Sequence, residues 1–119
     1  MAGHVTGIGG IFFRAHNPET LVAWYSEHLG VTSFGPWPQQ QGVAVFAPFN
    51  ADTKYWPNDR QWMLNLRVTG LDAMIDRLRA SGIEVETRPD EWDTKETGRF
   101  ARIEDPEGNN IELWEPPGE

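Results

Sequence analysis

The sequence predicts an α+β fold built from one strand–helix–strands pattern performed twice. Three observations predict it. Residues 10–30 and 62–82 form a weak internal repeat, each a strand-like run followed by a helix-like run that ends on glycine. Both helix-like runs carry apolar residues at helical spacing. After each of them the chain returns to extended, alternating sequence. Two such units would pair into one sheet surface with a helix behind each half.

The elements follow in order. Residues 10–15 read as a leading strand. Asn17 is an N-cap, Pro18 sits at N1 and Glu19 suits the positive end of the helix dipole. Leu21, Trp24, Tyr25, His28 and Leu29 keep the i, i+3, i+4 rhythm, and Gly30 is the stop. Extended segments follow at 31–34 and 43–49. Between them, 35–42 is a Pro- and Gln-rich loop. Residues 53–60 join the halves. The second leading strand is 62–68. The second helix has Leu71, Met74, Ile75 and Leu78 as its stripe, Asp72 in its first turn and Gly82 at its end. Strands are expected at 83–87, 99–104 and 110–115, with 89–98 a polar loop carrying Trp92. Asp105 to Asn109 reads as a turn: Asp105 caps it, Pro106 pre-sets φ and Gly108 takes a positive φ.

Composition narrows the function. A chain of 119 residues is expected to be a single domain, 1–119, with module one at about 5–57 and module two at about 60–116. With no cysteine there is no disulfide, thiolate nucleophile or Cys-based metal site. The start lacks the basic and apolar regions of a signal peptide, and no apolar run approaches the ~20 residues of a membrane span, so a cytoplasmic location is expected. A formal charge of -8 argues against nucleic-acid partners, which require a basic face, and suits a cationic ligand.

Alternation places a second set of residues on the sheet face away from the helices. Ile11, Phe13 and Ala15 face the first helix, leaving Gly10, Phe12 and Arg14 opposite. Leu64, Leu66 and Val68 face the second, leaving Met63, Asn65 and Arg67 opposite. In the last strand Ile111 and Leu113 point one way, Glu112 and Trp114 the other. This mixture of aromatic, charged and amide side chains describes a cavity lining better than a plain wet face. The expected ligand-binding set is Phe12, Arg14, Phe46, Met63, Asn65, Arg67, Arg102, Glu112 and Trp114. Phe12, Trp37, Phe46, Phe49, Tyr55, Trp56, Trp62, Trp92 and Trp114 are too many aromatics for the core. They are expected either to pack between modules and across a dimer or to stack on a flat organic molecule.

The paired halves, Trp24-Tyr25 before Leu29-Gly30, and the closing Asp105-Pro-Glu-Gly-Asn with Ile111-Glu-Leu-Trp together resemble the vicinal oxygen chelate superfamily. That group includes glyoxalase I, extradiol dioxygenases and bleomycin-resistance proteins. The resemblance spans about residues 9–116. It implies two βαβββ modules forming a U-shaped, incompletely closed mixed sheet with helices outside, usually in a homodimer. It also implies a functional cavity inside the U. The superfamily's metal ligands would fall at Gly10, near Val45 or Phe46, at Met63 and at Glu112. Glycine has no ligand, and a thioether suits hard divalent metals poorly. A four-ligand zinc site is worth ~10–16 kcal/mol, so a single carboxylate contributes roughly a quarter of that. That quarter corresponds to a Kd of about millimolar or weaker. No metal or other cofactor is expected unless the site is rearranged, for instance through His4.

Glu112 therefore has three open roles: a cavity carboxylate paired with Arg14, Arg67, Arg102 or Asn65, an orienter of ligand, or a metal-free general base with a raised pKa. Arg102 and Glu104 share a face and form a candidate ion pair. His4, His16 and His28 lack ligand spacing to one another, and the glycines at 7, 9 and 10 precede a strand and so make no phosphate loop. The expected function is binding of a small organic molecule, resembling the bleomycin-resistance branch. The alternative is a lyase, isomerase or dioxygenase of the glyoxalase type, with Glu112 as the catalytic candidate.

Overall fold

The computed structural model describes residues 3–31 and 35–118. It is a mixed α+β structure with an open sheet. The first helix, α1 (Pro18–Leu29), starts as its sequence dictates. The Asn17 side chain accepts from the Thr20 amide at 3.1 Å, and Gly30, at φ 70°, turns its own N–H back to Ser26. Strand β1 (Leu64–Arg67) leads into α2 (Leu71–Ala80). A short α3 (Pro89–Trp92) precedes the hairpin of β2 (Arg99–Glu104) and β3 (Asn110–Glu115).

The sheet order is β1-β3-β2, with β3 parallel to β1 and antiparallel to β2. Its inner face carries Ala101, Ile103, Ile111 and Leu113, all essentially sealed from solvent. They pack with Leu71, Ile75 and Leu78 of α2, with Val85, and with Leu21 and Tyr25 of α1. Both helices thus feed one core behind the second-half strands. The N-terminus of α2 has no side-chain cap of its own. The Glu115 carboxylate, at the far end of β3, accepts from the Gly70 and Leu71 amides at 2.9 and 3.0 Å.

The closing turn anchors α1. Gly108 has φ 82°, as the turn requires. Asp105, 4% exposed, accepts from the Glu107 and Asn109 amides, the Asn109 side chain and the Tyr25 hydroxyl, the last at 2.7 Å. Glu107 accepts from the His16 and Asn17 amides at 2.6 and 2.9 Å, and these bonds hold its carboxyl below the usual range. Burial and the bond to Asp105 push the Tyr25 phenol far up.

Several expected elements differ. Residues 89–98 are not all loop, because Pro89 at N1 with Asp90 and Glu91 in the first turn nucleates α3. Residues 83–87 form a single bridge, Glu86 to Arg102, rather than a strand. Of the expected strand at 31–34, residues 32–34 lie outside the described residues. Residues 10–15 and 43–49 run without ladder partners, so the first-half strands expected there do not form within one chain. A strand exists only by pairing, and neither run takes up a ladder with another described part of the chain. Their apolar side chains stay out: Phe12 is 94% exposed, Val45 70% and Phe46 86%. No helix among the described residues is long and apolar enough to cross a membrane.

The Tyr25–Asp105 bond is a tether between the two halves of the sequence. Tyr25→Phe should lower stability by about 1–3 kcal/mol, read as a lower urea midpoint at unchanged slope. An unchanged midpoint would show that Asp105 does not need the phenol.

Candidate functional site

The register of β3 assembles the site. On the face away from the core, Asn65 and Arg102 are the cross-strand partners of Glu112. One step along, Arg67 and Phe100 flank Trp114. Two rows therefore lie side by side, Asn65–Glu112–Arg102 and Arg67–Trp114–Phe100. Phe100 and Trp114 stack with centroids 6.4 Å apart and planes 8° from parallel. The Trp114 indole N–H donates to the Thr97 carbonyl at 2.7 Å, which fixes the ring.

Glu112 is 7% exposed, so its charge needs partners. Asn65 Nδ2 donates to Oε1 at 2.8 Å, and the Tyr55 hydroxyl donates to Oε2. Each carboxylate oxygen thereby accepts one bond. Burial pushes the Tyr55 phenol up to about 12, with the Glu112 bond and charge adding to the rise and Arg102 opposing it.

Arg102 forms no ion pair among the described residues, either with Glu112 or with Glu104. Its guanidinium carbon lies 4.3 Å from the Tyr55 ring centroid and 5.2 Å from that of Trp92. The two rings meet edge to face, and Phe49 and Trp56 extend the aromatic group around Tyr55. Aromatic surface attracts the cation but takes little of its hydrogen bonding. Arg102 Nε and Nη2 are accordingly buried without a hydrogen-bond partner among the described residues. Leaving such donors unmet costs about 1–3 kcal/mol, more for a charged group.

Arg67 has a different use. Its guanidinium donates to the Val43 and Gln40 carbonyls, both at 2.6 Å, and so ties the Pro- and Gln-rich loop to the sheet. Gly42 lies against it, where an added Cβ would come within 2.8 Å of the guanidinium carbon. Met63 is half-buried just before β1. Phe12, Arg14 and Phe46 are exposed on the unpaired first-half segments and take no part in either row.

Alternation along the strands thus places Asn65, Arg67, Arg102, Glu112 and Trp114 together. Tyr55 as the partner of Glu112 was missed, although it stood among the aromatics expected to line a pocket. The pair is 57 residues apart, and no spacing rule marks it. A separate depression of about 330 Å³ lies between α2 and α3. It is a charged niche in which Arg99 pairs with Asp72 at 2.6 Å.

Residues 10–114 match the glyoxalase-like domain, and the chain belongs to that family. Among solved structures it is similar to TnmS3, an antibiotic-binding protein from Streptomyces sp. CB03234. The identity is 28%, the match covers 95% of this chain and 99% of that one, and the TM-score is 0.55. No curated protein matches the chain at a significant level.

The Tyr55–Glu112 contact has a pH signature. A raised phenol pKa contributes stability that is complete below the ordinary value of 10.0 and lost as pH climbs towards about 12. Ultraviolet titration of Tyr25→Phe, which leaves Tyr55 as the only tyrosine, should therefore show little tyrosinate at pH 10.0. Adding Glu112→Gln should move the midpoint down. A Tyr55 midpoint that ignores Glu112→Gln would contradict the contact.

Proposed function

We propose that the chain is a small-molecule-binding protein of the glyoxalase-like family that holds an aromatic organic ligand on the Glu112 face of its sheet without a metal. One observation carries the reading: the buried Glu112 carboxylate is held by Tyr55 and Asn65 amid a collar of Phe49, Tyr55, Trp56, Trp92, Phe100 and Trp114. Stacking on such rings favours flat apolar molecules. The likeness to an antibiotic-binding protein over nearly the whole of both chains supports binding as the task.

The donor chemistry does not fit a family-type metal. Gly10 and Met63 offer no hard ligand and Val45 or Phe46 none at all, which leaves Glu112 alone of the family's ligand positions. The likeness to an antibiotic-binding protein favours binding over a lyase, isomerase or dioxygenase reaction.

The functional unit is a homodimer in the cytoplasm, in which the two βαβββ modules of each chain are completed. Two quantities support association. The chain exposes 9175 Å², whereas a folded monomer of 119 residues should expose roughly 6,500 Å². Its radius of gyration is 15.2 Å against about 13.5 Å for a compact chain of this length. The excess area suits an extensive interface, and most of its large apolar side chains lie on the unpaired runs 5–13 and 43–49, with Trp37 and Trp62 outside them. Beside them β1 keeps one free edge, with β3 on its other side. Pairing with a second copy would give the first-half runs their ladder and bring Phe12, Arg14 and Phe46 to the cavity wall beside Met63.

Planar aromatic compounds should quench tryptophan fluorescence saturably and to the same extent with and without a strong chelator. Silence across a broad panel would contradict the ligand reading, and loss of binding on chelation would contradict its metal-free form. Sedimentation should give twice the chain mass at micromolar concentration, and Val45→Asp with Phe46→Asp should give the monomer. A monomeric wild type would contradict the dimer.

A further inference from the structure

We propose that Arg102 is the polar anchor of this site and that it takes a pair of oxygens, the carboxylate of a flat aromatic acid. The inference rests on the ligand-binding reading above and goes on to name the ligand's chemical class.

The unpartnered atoms of Arg102 are Nε and Nη2. These two nitrogens form one edge of the guanidinium, and their N–H bonds point the same way in its plane. That edge is the fork which meets both oxygens of a carboxylate at once. Burial without a partner is the unusual part, because a buried charged donor is normally matched. The nearest candidates are already engaged. Glu112, directly across the strand pair, bonds Tyr55 and Asn65 and makes no ion pair with Arg102. Glu86, the other cross-strand neighbour of Arg102, bonds Arg88 at 2.7 Å. Tyr55 and Trp92 lay their rings against the guanidinium, while Arg102 as a whole is only half-buried.

The same rings would grip the ligand's flat body while the fork holds its acid group. The net charge of -8 opposes an anion only at long range, and salt screens that field over about 8–10 Å. At contact distance the free charge beside the aromatic collar is Arg102, so a cationic ligand, which the overall charge favours, is disfavoured here.

Two probes that differ only at the polar end test this: 2-naphthoate and 2-naphthylmethanol, titrated by calorimetry into the full chain. Wild type should bind the carboxylate about tenfold or more tighter. Arg102→Met should abolish that preference and leave the affinity for 2-naphthylmethanol within about twofold, since ring stacking is untouched. Arg102→Lys should recover only part of the preference, because an ammonium is a point charge and not a fork. Thermal melts confirm folding of each variant, and unchanged alcohol binding is the internal control. Equal wild-type affinities, or a preference that survives Arg102→Met, would overturn the anchor while leaving the ligand reading intact. Binding of neither probe would overturn both.

Discussion

The rest of the structure depends on the buried carboxylate of Asp105. A charge almost closed to water is tolerated only when hydrogen bonds replace its hydration. Asp105 receives four such bonds, three from its own turn and one from Tyr25 on α1. The turn sets the β2–β3 hairpin, and the Tyr25 bond brings the first helix onto the second-half core. Glu107, two residues on, fixes the start of that helix through the His16 and Asn17 amides. Arg60 reaches the same turn, donating to the Glu107 carbonyl and to Asn109 at 3.0 and 3.1 Å. The first helix with its start and Arg60 therefore converge on the five residues of the turn.

Strand β3 then divides labour between its two faces. Ile111 and Leu113 close the core, while Glu112 and Trp114 centre the two functional rows. Because β3 lies between β1 and β2, its register places both Asn65 and Arg102 beside Glu112. A slip of one residue would bury the carboxylate in the core and expose the leucine, so core packing enforces the geometry of the site. Glu115 continues the economy by capping α2 from the strand's end.

Local chemistry explains what was legible in the sequence. The caps of α1, the positive φ at Gly108, β2, β3 and the facing of Asn65, Arg67, Arg102, Glu112 and Trp114 follow from spacing and residue type alone. Long-range pairing was not legible. Nothing near Tyr55 marks it as the partner of Glu112, and nothing near Glu115 marks it as the cap of α2. The first-half runs 10–15 and 43–49 have strand-like sequence, yet a strand is made by its ladder, and neither run pairs with another described part of the chain. Arg102 carried the opposite trap. Glu104 shares its face, so an ion pair was the natural expectation, but Tyr55 and Trp92 hold the guanidinium instead.

The account's central claim is that ligand sits on the Glu112 face, among Tyr55, Trp92 and Trp114. The six tryptophans make this directly readable. Indole N–H resonances of the ¹⁵N-labelled protein, assigned by single Trp→Phe variants, would be followed during titration with 2-naphthoate. The Trp92 and Trp114 signals should shift together and saturably. Trp24, which packs against the core from α1, should stay in place. Shifts confined to Trp24, or none at all at saturating ligand, would contradict the claim.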